Sequence, residues 1–167
     1  MKSYLPDLRA KSIFELNYDK LKDMGIKGIL IDIDNTLVPM HIKTPTIESI
    51  KWVESMKKRG FAICILSNAS YKRTSIFKKI LKIDGVGMAF KPKKDGYLKA
   101  IEILKLKKSE CVMIGDQLFT DIKGASKLKI LTILTELLDE NEHLYVKFKR
   151  IFEKIRYKEI LESVKWI

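Results

Sequence analysis

Residues 30–37, Leu-Ile-Asp-Ile-Asp-Asn-Thr-Leu, place two carboxylates at the end of an apolar run. Because side chains alternate along a strand, Asp32 and Asp34 leave the chain on the same side. Two carboxylates about 7 Å apart at the rim of a buried strand repel each other unless a cation lies between them. Such a pair is suited to holding Mg²⁺ beside a nucleophile. The structural alternative is an aspartate-rich turn, with Asn35 and Thr36 capping the segment that follows.

The rest of the chain alternates short apolar runs with segments of helical spacing. Five runs are predicted to be buried strands, at 28–33, 61–66, 86–90, 111–115 and 130–134. Four segments between them are predicted to be helices, at 45–58, 72–82, 95–106 and 121–128. This alternation predicts an α/β fold in three layers, a Rossmann-like parallel five-stranded sheet with helices on both faces.

The connections between the predicted strands are too short to contain a cap domain. Ser67 follows Asp34 by only 33 positions and Lys91 follows Ser67 by 24, and one helix and one strand occupy most of each stretch. We therefore expect an open site that accepts a large or surface-bound substrate. The main domain is predicted to cover 1–138, including an N-terminal lead-in at 1–25.

Residues 139–167 are predicted to form a C-terminal amphipathic helical extension of the same domain. Apolar and basic side chains recur there at helical spacing, the apolar ones at Leu144, Phe148, Ile151 and Ile155 and the basic ones at Lys147, Arg150, Lys154 and Lys158. A basic amphipathic helix can lie on an anionic membrane surface. The alternative is a helix that packs on the sheet and keeps its charges in water.

The composition is that of a soluble globular protein, with 46% hydrophobic and 32% charged residues. No signal peptide or membrane-spanning run is apparent, which predicts a cytoplasmic protein. The net charge of +12 is concentrated in residues 71–110, which carry twelve Lys or Arg against four Asp or Glu. This distribution indicates an anionic partner, such as phospholipid, nucleic acid or a phosphorylated metabolite, or else a solvated lysine-rich surface. Cys64 and Cys111 lie in apolar runs and are predicted to be reduced core thiols.

Polar residues follow two further predicted strands. Ser67 and Asn68 end the second strand, where their side chains and backbone N–H groups can bind phosphate oxygens, although a simple turn or helix cap is also possible. Lys91 ends the third and can stabilise a transferring phosphate as a point charge. Lys93 and Lys94 follow it closely, so all three could instead be solvated.

The fourth predicted strand ends in Gly115-Asp116, and Asp121 follows at the start of a helix. Gly115 permits close backbone approach, and Asp116 is a candidate metal ligand. Asp121 has an alternative role in capping the helix. In an open parallel sheet the ends of these four strands share one edge. The polar residues that follow the four strands are therefore expected to form one site.

These residues resemble the motifs of the haloacid dehalogenase (HAD) superfamily of phosphatases. The resemblance covers residues 26 to 135 and rests on Asp-Ile-Asp-Asn-Thr at 32–36, Leu-Ser-Asn at 66–68, Lys-Pro at 91–92 and Gly-Asp-Gln-Leu-Phe-Thr-Asp at 115–121. The short connections are similar to those of the capless subclass III. The opening Leu5-Pro6-Asp7 and Lys11-Ser12-Ile13-Phe14 resemble the YqeG-type branch, which is related to phosphatidylglycerophosphate phosphatases.

The resemblance implies a two-step mechanism at the acidic pair. Asp32 would be the nucleophile that forms an aspartyl-phosphate intermediate. Asp34 would protonate the leaving group and then activate water. Asp32, the backbone carbonyl of Asp34 and Asp116 would hold Mg²⁺, with Asp121 supporting the metal site.

The same resemblance assigns the phosphate contacts. Ser67, Asn68 and Lys91 would bind the phosphoryl group, and Asn35 and Thr36 would shape the loop around the nucleophile. The favoured function is a Mg²⁺-dependent phosphomonoester hydrolase acting on a phospholipid head group, phosphatidylglycerophosphate, with possible peripheral contact at the inner face of the membrane. The alternatives are a nucleic-acid end phosphatase, a small-metabolite phosphatase, and a non-catalytic basic interaction protein.

Overall fold

A computed structural model describes residues 5–139 and 161–167 of the chain. Within these residues eleven strands and helices alternate in the order β1 (Leu8–Ala10), α1 (Tyr18–Asp23), β2 (Gly28–Ile31), α2 (Ile47–Lys58), β3 (Ala62–Leu66), α3 (Tyr71–Leu81), β4 (Asp84–Val86), α4 (Lys94–Leu104), β5 (Cys111–Gly115), α5 (Lys123–Lys127) and β6 (Leu131–Thr135). A π-helical turn, Leu118–Ile122, leads directly into α5. The eight residues that define the predicted C-terminal stripes lie outside the described residues.

The six strands form one parallel sheet in the order β1-β6-β5-β2-β3-β4. β2 lies in the middle, where Ile31 pairs with Ile65 of β3 on one side and Ile114 of β5 on the other. All strands therefore end at the same edge, and the residues that follow β2, β3 and β5 are neighbours in space. The Rossmann-like α/β fold predicted from the sequence is confirmed.

The predicted number of strands was one too few. β1 lies in the segment that the sequence analysis treated as a lead-in, and it pairs with β6 through Leu8 and Ile133. With only three residues it is too short to show a periodic pattern. The strand predicted at 86–90 instead covers 84–86, because the chain leaves the sheet at Gly87.

The core consists of two layers, one on each face of the sheet. Alternate residues of each strand face opposite layers, as Ile29 and Ile31 face one side while Leu30 faces the other. Helices α1, α2 and α3 cover the first face, and α4 and α5 cover the second. Cys64 and Cys111 are free and buried in the second layer, and burial raises the pKa of Cys64 to about 12. Both positions suit the predicted core thiols.

The last described residues extend the sheet beyond β1. The Arg9 N–H donates to the carbonyl of Lys165 at 2.8 Å, and the Ile167 N–H donates to the carbonyl of Arg9 at 2.9 Å. The guanidinium of Arg9 also lies over the Trp166 ring, 4.4 Å from its centroid. This part of the predicted C-terminal extension packs on the domain, whereas the division into 1–138 and 139–167 stays a prediction. Among the described residues, no helix is long and apolar enough to cross a membrane.

Candidate active site

The predicted site lies where β2, β3 and β5 end. Asp32 follows β2, Ser67 follows β3 and Asp116 follows β5, and all three side chains are buried. The Asp32 N–H donates to the carbonyl of Ile114 at 3.2 Å, which continues the β2–β5 pairing to the rim of the sheet. The register of the central strands therefore brings these three side chains to one place.

Three buried carboxylates form the centre of the site. Asp32, Asp116 and Asp121 each offer a carboxylate oxygen, and these oxygens lie within 4.8 Å of one another. Asp121 reaches the cluster from the π-helical turn and packs against Gly115. A Cβ at Gly115 would collide with that carboxylate, so the missing side chain is what allows Asp121 to approach. The close backbone approach predicted for Gly115 is thus made toward Asp121.

Lys91 supplies the positive charge within this cluster. Its Nζ is buried, 2.9 Å from Asp32 Oδ1 and 2.6 Å from Asp121 Oδ1. Burial alone would lower the pKa of Lys91, but the Asp121 and Asp32 carboxylates outweigh burial and raise it above its usual range. Lys91 therefore stays a cation and can compensate the charge of bound phosphate as well as that of the carboxylates.

The Asp121 carboxyl experiences opposing electrostatic influences. Burial raises the pKa of Asp121 to about 6 and the Asp32 carboxylate adds to this, although Lys91 lowers it. The backbone N–H of Gln117 donates to Asp121 Oδ2 at 3.1 Å and fixes the side chain. A buried carboxylate of this kind is held by the fold and is readily stabilised by an additional cation.

Asp34 is not one of the three clustered carboxylates and contacts Arg73. The Nε and Nη2 of Arg73 donate to Asp34 Oδ1 at 3.1 and 2.7 Å. Burial raises the pKa of Asp34, and the Asp32 carboxylate raises it further, while Arg73 and Lys91 lower it. Two carboxylates of the same short segment therefore differ in environment, since Asp32 faces a lysine and Asp34 faces an arginine.

The sequence analysis did not identify Arg73. Ser70 caps α3 by accepting a hydrogen bond from the Arg73 N–H at 3.2 Å, which places Arg73 in the first turn of that helix. Its guanidinium also lies 5.1 Å from the centroid of the Phe77 ring, a cation–π contact that helps fix it beside Asp34. Arg73 is one of twelve basic residues between 71 and 110, and no local pattern distinguishes it from the others.

The loop after β3 fixes the loop that carries Lys91. The Asn68 side chain accepts from the Lys91 N–H at 2.7 Å and donates to the Lys91 carbonyl at 3.1 Å. Ser67 lies at the strand end itself, where its Oγ accepts from the Ala69 N–H at 3.1 Å. The structure therefore brings Ser67 and Lys91 to the site and uses the Asn68 amide to hold the Lys91 backbone.

Asn35 and Thr36 form the turn after the acidic pair. Asn35 has a left-handed backbone with φ of 59°, which asparagine tolerates better than most residues, and its N–H donates to the Val38 carbonyl at 2.8 Å. The Thr36 hydroxyl donates to Asp116 Oδ1 at 3.3 Å. This turn therefore links the loop after β2 to the carboxylate after β5, consistent with a role in shaping the site.

The donor set fits a hard divalent cation. The site contains two cationic side chains, those of Arg73 and Lys91. It also contains four carboxylates, which belong to Asp32, Asp34, Asp116 and Asp121. The acidic groups therefore outnumber the basic ones by two. Carboxylate oxygens are the ligands that Mg²⁺ prefers in proteins. The buried cluster can therefore hold a divalent metal ion.

The fold resembles solved structures of low sequence identity. A hypothetical protein from Xanthomonas campestris superposes with a TM-score of 0.56 at 15% identity, covering 89% of this chain and 79% of that protein. This match identifies the class of fold, a parallel sheet with helices on both faces.

Sequence comparison identifies the family. The sequence pattern of the haloacid dehalogenase-like hydrolases matches residues 40–129. The probable phosphatase YqeG of Bacillus subtilis (strain 168) is 37% identical over 153 residues, 92% of this chain and 89% of that protein. A second relative is phosphatidylglycerophosphate phosphatase 1, chloroplastic/mitochondrial, of Arabidopsis thaliana, which is 28% identical over 98% of this chain. The chain spans about half of the length of that protein, 48%.

The chain belongs to the haloacid dehalogenase-like hydrolase family. The predicted family, and with it the prediction of an enzyme with a Rossmann-like sheet, is confirmed.

Proposed function

We propose that this protein is a Mg²⁺-dependent phosphomonoesterase that forms an aspartyl-phosphate on Asp32. The observation that carries the proposal is the buried Asp32 carboxylate, 2.9 Å from the Lys91 ammonium and beside two further carboxylates. This arrangement places a nucleophile, a phosphate-binding cation and a set of metal ligands at one strand end. The family and the phosphatase named among its relatives support the same class of reaction.

The side chains have separate tasks in the two proposed steps. In the first, Asp32 attacks phosphorus, the bond from phosphorus to the leaving oxygen breaks, and Asp34 gives that oxygen its proton. In the second, Asp34 takes a proton from water, whose oxygen attacks the phosphorus and releases phosphate and the Asp32 carboxylate. Ser67 and Lys91 bind the phosphoryl oxygens in both steps.

The environment of Asp34 suits this exchange of a proton. Its raised pKa, caused first by burial and then by the Asp32 charge, keeps part of the population protonated closer to neutral pH than for an exposed aspartate. The Asp32 carboxylate lies 2.9 Å from the Lys91 ammonium and is the better candidate for the nucleophile. The two aspartates can thus act as nucleophile and acid without exchanging roles.

Asp32, Asp116 and the backbone carbonyl of Asp34 are the proposed metal ligands, with Asp121 in support. Bound there, Mg²⁺ would neutralise charge on the phosphoryl oxygens and reduce repulsion between the phosphate and the carboxylates. Asp121 belongs to the same oxygen cluster, so a direct contact with the metal is also sterically open to it.

Metal binding should stabilise the fold. Adding Mg²⁺ to EDTA-treated protein at about 100 times the dissociation constant should raise the unfolding free energy by about 2.7 kcal/mol. For a chain of this size, that corresponds to a rise in melting temperature of about 5–10 °C. Thermal melts of the wild type and Asp116→Asn test the assignment. An equal shift in both proteins would contradict a role for Asp116 in metal binding.

A phospholipid head group, phosphatidylglycerophosphate, is the favoured substrate within this proposal. The described connections after β2 and β3 hold one helix each and contain no domain that would enclose the site. The net charge of +12 suits an anionic surface, and one relative is named for this substrate. A cytoplasmic location with peripheral attachment at the inner face of the membrane is part of the same proposal.

Phosphate release with Mg²⁺ is the experiment that tests the function. Phosphatidylglycerophosphate in mixed micelles would be compared with a 5′-phosphorylated oligonucleotide and several sugar phosphates, using Asp32→Asn as the blank. We expect the lipid to have the highest kcat/KM. Preference for the oligonucleotide or a sugar phosphate would replace the lipid assignment, and no release from any compound would favour the non-catalytic alternative.

Arg73 is expected to act as a positioning residue for Asp34. Replacing it by Met removes the two hydrogen bonds to Asp34 and a cation that lowers the pKa of Asp34. The pKa of Asp34 should then rise, so the basic limb of the kcat/KM profile, where the proton donor is lost, should move to higher pH. Loss of alignment should reduce kcat by about 10- to 100-fold for alkyl phosphates.

The leaving group distinguishes this role from a purely structural one. An aryl phosphate with an acidic leaving group needs little protonation, so Arg73→Met should affect its turnover much less. Lys72→Met, which removes an exposed neighbouring cation, serves as the matched control. Equal losses for alkyl and aryl substrates in Arg73→Met would show that Arg73 does not act through Asp34.

A further inference from the structure

Three large apolar side chains are exposed beside the candidate site. Tyr71, Met88 and Phe90 have exposed fractions of 68%, 38% and 58%. Tyr71 is the first residue of α3, and Met88 and Phe90 belong to the loop that continues into Lys91. We call these three residues the apolar rim.

The fold holds the loop of the rim in one orientation. Exposure alternates along it, so that Met88 and Phe90 face outward while Ala89 and Lys91 are buried. Met88 and Ala89 donate their N–H groups to the carbonyls of Ala69 and Ser67, at 2.8 and 3.0 Å. These bonds tie the outward-facing segment to the loop after β3.

Close backbone packing also confines this loop. A Cβ at Gly87 would lie 2.6 Å from Thr74 Oγ1 of α3, and a Cβ at Gly96 of α4 would lie 2.8 Å from the Ala89 carbonyl oxygen. Met88 and Phe90 have left-handed backbones, with φ of 45° and 51°, which is unfavourable for residues with bulky side chains. The surrounding structure therefore imposes the outward direction, and such conformations cluster at functional positions.

Cationic side chains surround the rim. The residue after Tyr71 is the exposed Lys72, and the loop of Met88 and Phe90 continues into the exposed Lys93 and Lys94. Between positions 87 and 95 the one acidic residue is Asp95. The Lys93 ammonium lies 5.8 Å from the centroid of the Phe90 ring. A second copy of the same surface would bring like charges together, whereas an anionic lipid surface complements the lysines and accepts the apolar side chains.

We propose that the apolar rim docks on an anionic phospholipid surface and thereby presents the site to a phosphomonoester in a lipid head group. This inference rests on the proposed function and identifies the surface that would contact the membrane. Aromatic and apolar side chains would enter the interfacial region while the lysines contact head-group phosphates. Because Lys91 directly follows Phe90, the docked loop would hold the phosphate-binding ammonium next to the interface.

The docking surface can be tested apart from catalysis. The full chain and its Met88→Ser/Phe90→Ser variant would be sedimented with vesicles of phosphatidylglycerol and phosphatidylcholine. We expect the partition coefficient of the variant to fall by about tenfold, since burial of large apolar side chains supplies much of such binding. Turnover of a water-soluble aryl phosphate should stay within about twofold of the wild type, because both side chains are exposed and neither has a role in the proposed chemistry.

Met24→Ser/Ile80→Ser is the matched control. These residues have exposed fractions of 47% and 42%, and both precede the start of a strand, at the opposite edge of the sheet. The control should bind vesicles as the wild type does. Equal loss in both double variants, or no loss in the rim variant, would overturn the proposal.

Three further outcomes distinguish the docking surface from a nucleic-acid surface and from the proposed phosphatase function. Wild-type protein that binds a single-stranded oligonucleotide through the rim but not the vesicles would overturn the proposal in favour of a nucleic-acid partner. Vesicle binding lost only in the rim variant, with no phosphatase activity on any substrate, would support the docking surface and refute the proposed function. Activity on soluble phosphomonoesters without vesicle binding would support the phosphatase function and refute the docking surface.

Discussion

Asp32→Asn is expected to abolish phosphate release and to leave the fold intact. The amide cannot act as the nucleophile, so kcat should fall by at least about a thousandfold. Lys91 keeps its 2.6 Å contact with Asp121 in this variant, so no buried cation is left without a carboxylate. The melting temperature should therefore change by no more than about 5 °C. Phosphate release and a thermal melt measure the two effects.

Asp84→Asn provides the control for this substitution. Asp84 is exposed at the start of β4, at the opposite edge of the sheet from the site. The same chemical change there should leave kcat within about twofold of the wild type. Wild-type turnover in Asp32→Asn would refute the assignment of the nucleophile.

Lys91→Met should damage both stability and activity. The change removes the cation that lies between two buried carboxylates, 2.9 and 2.6 Å from them. Removing one partner of a buried ion pair typically costs about 3–5 kcal/mol, which here predicts a fall in melting temperature of about 10 °C. Loss of the phosphate-binding charge should also reduce kcat/KM by more than about a hundredfold.

A second substitution separates these two effects. In Lys91→Met/Asp121→Asn one of the uncompensated carboxylates is also removed, so part of the lost stability should return while activity should not. Lys99→Met, at an exposed position of α4, controls for the loss of a lysine. If the double variant were less stable than Lys91→Met, charge compensation would not be the main task of Lys91 in the fold.

The parts of the site that sequence analysis predicted are those encoded next to a strand. Asp32 and Asp116 each follow an apolar run that is long enough to be recognised, and a parallel sheet brings such positions to one edge. Lys91 was identified for a related reason, although the strand before it ends earlier than predicted. The alternation of strands and helices likewise sufficed for the fold class.

The parts that were missed depend on contacts between distant segments. Arg73 becomes part of the site only because α3 brings it to Asp34, 39 residues earlier in the chain. β1 is a strand because β6 offers it a partner, and its three residues carry no pattern of their own. The Asn68 amide could equally have faced a phosphate, and only the position of the Lys91 backbone shows that it pairs with the protein itself.

The contact between Gly115 and Asp121 has a consequence for comparing related sequences. The carboxylate occupies the space that any side chain at position 115 would need, so the two positions are under a joint steric constraint. A relative that keeps the aspartates but carries alanine or a larger residue at position 115 would have to move the Asp121 carboxylate away from the cluster. The glycine is therefore an informative marker when members of this family with a working centre are to be separated from members whose centre has degenerated.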